Sequence, residues 1–292
     1  MLLDDITREA ATKAVALALA EDLSECGDIT SAALVEPCIT ASARFIFKEP
    51  AVLAGVPVVM EVCRQVSPDL ALHALADDGA RVERGAGPLE IRGDARAILA
   101  AERTAINFLS HLSGVATLTR AFVEAVAGTS AEILDTRKTL PGLRALQKYA
   151  VRCGGGVNHR FGLYDQVLAK DNHLALLRRA GGQTRLDEAL KKIRDRVAPG
   201  IVIEIEAKTT DEVEAALAAG ADIIMLDNMT LSEMAVAVMT VRRSQRARVL
   251  VEASGGVTLE TVRAVAETGV DRISVGALTH SPRSIDISLE IT

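Results

Sequence analysis

The arrangement of hydrophobic and polar positions changes near the middle of the chain. After about residue 130, short apolar runs alternate with helical segments, a pattern typical of a parallel sheet with crossover helices. Because a complete barrel of this kind needs eight strands, the pattern favours an incomplete barrel, with a doubly wound sheet as the alternative. The six predicted strands are residues 133–136, 166–172, 201–206, 222–228, 249–255 and 272–276.

The first 130 residues follow a different pattern. Residues 5–23 have apolar side chains at helical spacing, which predicts an amphipathic helix. Residues 95–127 lack proline and are rich in alanine and leucine, so we expect one long helix or two helices interrupted near Gly114. Between them, residues 42–50 and 89–94 alternate with a period of two and are bounded by turns. This part of the chain therefore predicts an α+β domain with an antiparallel sheet.

The last residues also alternate strictly, with Ile285, Ile287, Leu289 and Ile291 separated by polar positions. Such a strand has one wet face, unlike a barrel strand that is buried on both sides. We therefore expect the C-terminal strand to return to the N-terminal sheet. The predicted domains are residues 1–112 together with 280–292, and a barrel domain of residues 113–279.

Composition narrows the classes of function. The 292 residues, 49% hydrophobic and 25% charged, are typical of a soluble enzyme of one or two domains. The 33 Lys and Arg against 39 Asp and Glu give a net charge of -6, which argues against general affinity for nucleic acid or anionic membranes. The acidic N-terminus does not resemble a secretion signal, and no long uncharged run is present. We expect a cytoplasmic protein.

Against this acidic background, residues 135–173 form a concentrated cationic stretch that indicates a pocket for a small polyanion. Several of its cations lie at predicted strand ends or beside glycines, where they could bind carboxylates and phosphates. The alternative is a structural network of salt bridges. The candidate anion-binding residues are Arg137, Lys138, His159, Arg160 and Lys170.

Two acidic residues, Glu206 and Asp227, lie at the ends of successive predicted strands, so their carboxylates should face the same opening. They could hold Mg²⁺, orient ribose hydroxyls or stabilise a developing cation. The alternative is an acid neutralised by a nearby lysine such as Lys208.

Small residues end the last two predicted strands, as SGG at residues 254–256 and SVG at residues 274–276. Together they indicate a phosphate-binding site built from backbone N–H groups. Lys170 could alternatively form a Schiff base, since a lysine at a barrel strand end is an aldolase arrangement.

Eight short motifs of the chain, taken in order, resemble the motifs of one family. They are DTRKT, PGLR, KYAVRCGGG, NHRFGL, KDNH, MLDN, EASGG and SVGALTHSP. They are similar to quinolinate phosphoribosyltransferases, and the resemblance covers nearly the whole chain. It implies an N-terminal open sandwich and an incomplete α/β barrel. It also implies a decarboxylating pentosyltransferase of NAD biosynthesis, which converts quinolinate and phosphoribosyl pyrophosphate to nicotinate mononucleotide, pyrophosphate and CO₂ with Mg²⁺. Leu140 and Ala169 depart from the family's usual residues without removing a charge.

The resemblance further implies a homodimer in which an arginine from one subunit, here Arg103, completes the other subunit's site. Lys138, Glu206 and Asp227 would be catalytic, and the two acids would hold Mg²⁺ directly or through water. The residues implied for quinolinate are Arg103, Thr136, Arg137, His159, Arg160 and Lys170. Those implied for phosphoribosyl pyrophosphate are Lys138, Lys170, Glu206, Asp227, Ser254, Gly255, Gly256, Ser274, Val275 and Gly276. A non-catalytic anion-binding protein is the remaining alternative.

Overall fold

The computed structural model describes residues 3–173, 175–176, 186–244 and 249–292. These residues form two compact units. The first unit comprises residues up to Arg120, Lys138–Gly156 and Ala277–Thr292, and the second comprises Ala121–Arg137 and Val157–Gly276. The domain boundaries inferred from the sequence stay a prediction.

The elements follow one another in two series. The first series is α1 (Asp5–Leu23), α2 (Ile29–Leu34), β1 (Thr40–Phe47), β2 (Ala51–Val52), α3 (Val56–Val66), β3 (Ala71–Ala74), β4 (Arg81–Val82), β5 (Leu89–Asp94) and α4 (Ala95–Ala125). The second series is β6 (Glu132–Leu134), α5 (Arg144–Cys153), β7 (Val167–Ala169), α6 (Leu186–Arg196), β8 (Ile203–Ala207), α7 (Thr210–Ala219), β9 (Ile223–Asp227), α8 (Leu231–Arg243), β10 (Leu250–Ser254), α9 (Val262–Glu267), β11 (Arg272–Ser274), α10 (Ala277–His280) and β12 (Ile287–Ile291).

The first unit contains an antiparallel sheet with the strand order β12-β1-β5-β3. Phe45 of β1 lies opposite Leu289 of β12 and Leu89 of β5, so the C-terminal strand returns to the N-terminal sheet as predicted. Phe45 and Phe47 are buried, whereas Arg44 lies on the other face of the sheet. The alternation in the sequence thus corresponds to one buried and one exposed face.

Helix α4 is continuous across Gly114, so of the two predicted alternatives the single helix is correct. The glycine has a packing role instead, because a Cβ at this position would overlap the backbone carbonyl oxygen of Arg283. The absent side chain therefore allows the C-terminal segment to pass close to the helix.

The second unit contains a parallel sheet of six strands in the order β6-β11-β10-β9-β8-β7. Among the described residues, β6 and β7 do not pair with each other, so the sheet does not close. This confirms the incomplete barrel. The strands are mainly aliphatic, and Ile205, Leu226 and Val251 are essentially inaccessible. Helix α8 begins with a capping box, in which the side chains of Thr230 and Glu233 each accept a hydrogen bond from the other residue's backbone N–H.

No helix in the described part of the chain combines the length and the apolar character needed to cross a bilayer.

Candidate active site

The carboxyl ends of the parallel strands gather the predicted polar residues at one edge of the second unit, which we call the rim. Strand register makes the rim continuous, because Ser254 of β10 lies opposite Asp227 of β9 and Ser274 of β11. Glu206 of β8 is paired with Met225, two residues before Asp227. Thr136 and Arg137 follow β6, and Lys170 follows β7. In parallel α/β folds this edge is where ligands bind.

The acidic part of the rim consists of Glu206 and Asp227, both partly buried. Burial raises the pKa of Glu206, and the carboxylates of Asp227 and Asp171 raise it further. Lys208 lies 2.7 Å from Asp171 but 3.9 Å from Asp227, so it mainly neutralises Asp171. A bound cation would stabilise Glu206 and the neighbouring carboxylates whose negative charge it faces. Oxygen ligands of this kind fit Mg²⁺.

The glycine turn after β10 has a backbone that other residues would not readily adopt. Gly255 has φ +102°, and a Cβ at that position would overlap the side chain of Asn228. Gly256 has φ +60°. Such a turn lets the backbone approach a ligand closely.

Next to this turn, the end of β11 has less free hydrogen-bonding capacity. The backbone N–H of Val275 donates to the carbonyl oxygen of Leu134 at 2.9 Å, so this group is already used within the sheet. The buried Ser274 hydroxyl lies 3.5 Å from the carbonyl oxygen of Ala253. Gly276 directly precedes helix α10. The glycine turn after β10 is therefore the better placed of the two for phosphate binding.

The cationic part of the rim contains Arg137, Arg160 and Lys170. Burial lowers the pKa of Arg160, and the nearby charge of Arg137 lowers it further, so the two guanidinium groups are close enough to repel each other. The Nη1 atom of Arg160 donates to the carbonyl oxygen of Gln166 at 3.1 Å. Lys170 is exposed. Adjacent guanidinium groups favour an anionic ligand, which would remove their mutual repulsion.

His159, which was predicted to hold a substrate carboxylate, has a side chain that is only 7% exposed. Its Nε2 atom lies 3.2 Å from Glu204 and 3.4 Å from Glu252, and its Nδ1 atom accepts a hydrogen bond from the backbone N–H of Arg160 at 2.7 Å. Burial lowers the pKa of His159, but the two carboxylates outweigh it and raise the pKa to about 9. This favours a second ring proton, but Nδ1 already accepts the Arg160 N–H at 2.7 Å and cannot carry a proton at the same time, so the ring in this arrangement has one proton, on Nε2.

The sequence reasoning missed Glu204, Glu252 and Asp135, which are all fully buried. Asp135 accepts hydrogen bonds from the side chain of Asn158 at 2.6 Å and from the backbone N–H of His159 at 2.9 Å, which fixes the loop after β6. The available signal was an acid inside an apolar strand, as in IVIEIE and VLVEAS. Buried acids require partners, so each of these positions could have indicated a network.

Arg103 and Lys138 belong to the first unit. Arg103 is exposed on α4 and lines a surface groove together with Glu49 and Arg283, which form an ion pair. Lys138 is exposed, and its carbonyl oxygen accepts a hydrogen bond from Thr279 at 2.8 Å. The structure therefore places the other predicted site residues together in the second unit and these two in the first.

An open parallel sheet with two carboxylates and a glycine turn at its strand ends, and with two guanidinium groups on adjoining loops, is typical of an α/β enzyme that acts on phosphorylated, anionic substrates. Comparisons with known proteins specify this class further. Residues 28–113 match the N-terminal domain of quinolinate phosphoribosyl transferase, and residues 115–290 match its C-terminal domain. The chain belongs to the quinolinate phosphoribosyltransferase family.

Individual relatives match this chain over nearly its whole length. The carboxylating nicotinate-nucleotide pyrophosphorylase of Mycobacterium leprae is 45% identical, covering 99% of this chain and 100% of the relative. The decarboxylating quinolinate phosphoribosyltransferase 1b of Nicotiana tabacum is 38% identical, covering 95% and 81%. The structure of the nicotinate-nucleotide pyrophosphorylase from Francisella tularensis, 40% identical, superposes with a TM-score of 0.90 over 100% of both chains.

Proposed function

We propose that this protein converts quinolinate and phosphoribosyl pyrophosphate to nicotinate mononucleotide, pyrophosphate and CO₂ in NAD biosynthesis. The observation that supports it most strongly is the rim itself, where Glu206 and Asp227 lie on neighbouring strands of one sheet and the guanidinium groups of Arg137 and Arg160 lie on the loops after β6 and before β7. This combination suits a dicarboxylate that attacks a sugar carbon as that carbon becomes cationic.

The cationic residues bind the two carboxylates of quinolinate. Arg137 and Arg160 supply the guanidinium groups, whose planar donors match carboxylates in a bidentate manner, and Lys170 adds a further charge. Thr136 lies next to this group in the chain. Arg103 of a second copy of the chain completes the set in a homodimer. Binding both carboxylates orients the ring nitrogen towards the sugar.

The acidic residues act at the ribosyl end. As the bond from ribose C1 to pyrophosphate breaks, positive charge develops on the sugar, and the carboxylates of Glu206 and Asp227 stabilise it. The same two carboxylates would hold Mg²⁺, directly or through water, and the ion would help to neutralise the departing pyrophosphate. Lys138 supports the phosphorylated substrate from its place beside Arg137 in the sequence.

The glycine turn receives the 5-phosphate of the sugar. Gly255 and Gly256 bring backbone N–H groups to the ligand, and the hydroxyls of Ser254 and Ser274 lie at the adjoining strand ends. Gly276 lies at the start of the segment that follows β11.

Decarboxylation needs no protein nucleophile. Once the ring nitrogen is bonded to the sugar, its positive charge stabilises the electron pair that departing CO₂ leaves at C2, and a proton from solvent then forms the C2–H bond of the product. The chain's contribution is to hold the ring while CO₂ leaves. We therefore assign Lys170 to anion binding. We further propose that the protein works in the cytoplasm.

The direct test is an assay of purified protein with quinolinate, phosphoribosyl pyrophosphate and Mg²⁺, with nicotinate as the control acceptor. We expect nicotinate mononucleotide from quinolinate and little or none from nicotinate, since the monocarboxylate leaves part of the cationic site unpaired. Binding of quinolinate without any release of pyrophosphate would instead identify a non-catalytic anion-binding protein.

A further inference from the structure

A buried cluster lies behind the cationic part of the rim and consists of His159, Glu204 and Glu252. The two glutamates come from the interiors of β8 and β10, and both are fully buried. The His159 ring lies between them, with its Nε2 atom 3.2 Å from Glu204 and 3.4 Å from Glu252. Buried acids without partners destabilise a fold, so their presence here calls for a functional reason.

The hydrogen bonds of the cluster are unevenly distributed. Glu204 accepts from the side chain of Gln166 at 2.6 Å and lies nearer to the His159 Nε2–H. Both oxygens of Glu252 and one oxygen of Glu204 are buried and accept no hydrogen bond from the described residues. One N–H group donates a hydrogen bond in one direction. The His159 Nε2–H therefore donates to Glu204, and it attracts the charge of Glu252 without a hydrogen bond.

The other ring nitrogen of His159 fixes the protonation state. Nδ1 accepts a hydrogen bond from the backbone N–H of Arg160 at 2.7 Å, so in this arrangement the ring proton lies on Nε2, towards the acids. A metal ion bound to Nε2 would require the proton to move to Nδ1, where it would meet the Arg160 N–H. The ligand atoms of the cluster lie within 4.8 Å of one another, but the hydrogen bond to Nδ1 disfavours a metal site.

We propose that the cluster positions Arg160: Glu204 and Glu252 hold the His159 proton on Nε2, and the unprotonated Nδ1 anchors the backbone of Arg160 by accepting its N–H. His159 is then a positioning residue with both ring nitrogens bonded inside the protein. The acids orient the ring, and the ring holds the Arg160 backbone. The backbone in turn places the guanidinium group that binds a carboxylate. This inference rests on the proposed function.

A positioning role for the cluster predicts an effect on quinolinate binding that is opposite to the effect of charge alone. Removing a negative charge near a dicarboxylate site should strengthen binding of the dicarboxylate if Glu252 acted only through its charge. If Glu252 positions Arg160, the Glu252→Gln variant should bind quinolinate more weakly, because its amide can donate to Glu204 and compete with the ring.

The kinetic test compares Glu252→Gln with Glu90→Gln, which makes the same substitution in a strand of the first unit. We expect the KM for quinolinate to rise about tenfold in Glu252→Gln, with kcat and the KM for phosphoribosyl pyrophosphate changed less than about threefold. Glu90→Gln should keep wild-type constants. If the wild-type protein is active, a lower or unchanged KM for quinolinate in Glu252→Gln would overturn the inference and leave the proposed function intact. Wild-type protein that does not convert quinolinate would overturn both.

Nitrogen NMR of the histidine rings tests the cluster without any variant kinetics. The protein contains 5 histidines, and the spectrum of His159→Gln identifies the signals of residue 159 by their loss. Near neutral pH we expect wild-type Nε2 to carry the proton and Nδ1 to be an unprotonated acceptor. A ring protonated on Nδ1 would contradict the proposal, as would one-to-one binding of Zn²⁺ that displaces the Nε2 proton.

Discussion

Both sheets carry a glutamate inside a strand, but the two environments differ in kind. In the antiparallel sheet of the first unit, Glu90 lies 2.6 Å from Arg92 and 3.5 Å from Arg44, whose side chains are at least half exposed. A hydrogen bond from Arg92 lowers the pKa of Glu90. In the parallel sheet of the second unit, burial raises the pKa of Glu204, and its donors are His159 and Gln166.

The contrast separates two uses of a charged residue. Glu90 is itself mostly covered, but the arginines that balance it are at least half exposed, and ion pairs with exposed partners contribute little to stability. Glu204 belongs to a network behind the rim, where an acid persists at a cost to stability. Changes in the second unit's rim should therefore alter activity, whereas changes at Glu90 should alter only stability.

The largest expected effect is at Asp227. In Asp227→Asn we expect kcat to fall by about 100-fold or more, because a preorganised charge facing the developing cation is lost. The KM for quinolinate should change less than about threefold, as measured by steady-state kinetics. Asp211→Asn, on the exposed first turn of α7, is the matched control. Equal losses in turnover and in quinolinate binding would contradict a role at the ribosyl end.

A smaller but more selective effect is expected at Arg160. The Arg160→Gln variant should raise the KM for quinolinate about 30-fold through loss of a charge-assisted carboxylate contact. Thermal unfolding should hardly change, because relief of the repulsion from Arg137 compensates for the lost hydrogen bond to Gln166. A large fall in the unfolding temperature with an unchanged KM would assign Arg160 to the structure alone.

The comparison can be sharpened by testing whether Arg103 serves the partner's rim while Lys138 serves the rim of its own subunit. Arg103→Ala and Lys138→Ala should each be inactive as separate proteins. Random exchange of subunits would produce hybrid dimers with one intact site, which predicts recovery of about a quarter of wild-type activity. Proven exchange without recovery would refute a shared site.

The smallest effect is expected at Glu90 itself. Its pKa is lowered in the folded state, so its stabilising contribution is present above the ordinary value of 4.5 and is lost as pH falls through the lowered value. Glu90→Gln should therefore unfold at a slightly lower temperature than wild type at neutral pH, and the difference should shrink in acid. Circular dichroism melts at several pH values measure this. A difference in unfolding temperature that grows as the pH falls would contradict the stabilising role of the ionised Glu90.

The periodicity of the sequence was sufficient to predict the architecture, because each amphipathic helix or strand buries one face. The spacing between Glu206 and Asp227, one strand-helix repeat, correctly predicted that they end neighbouring strands. The alternation of residues 285–291 correctly predicted the return of β12 to the first sheet. Helix α2 was not predicted, since six residues are too short for a periodic signal.

The network behind the rim could not be predicted in the same way. His159, Glu204 and Glu252 come from a loop and two strands that are distant in sequence, and no local spacing relates them. A motif containing a histidine beside an arginine suggests that both contact a ligand. Only the three-dimensional arrangement shows that the ring nitrogens of His159 face the protein interior and the Arg160 backbone.

The measurement that tests the central claim most directly is the release of CO₂ from quinolinate labelled in its 2-carboxylate, followed together with pyrophosphate. The account predicts one labelled CO₂ for each pyrophosphate and each nicotinate mononucleotide, with all three abolished together in Asp227→Asn. Release of pyrophosphate without labelled CO₂, or of CO₂ in the absence of phosphoribosyl pyrophosphate, would contradict it.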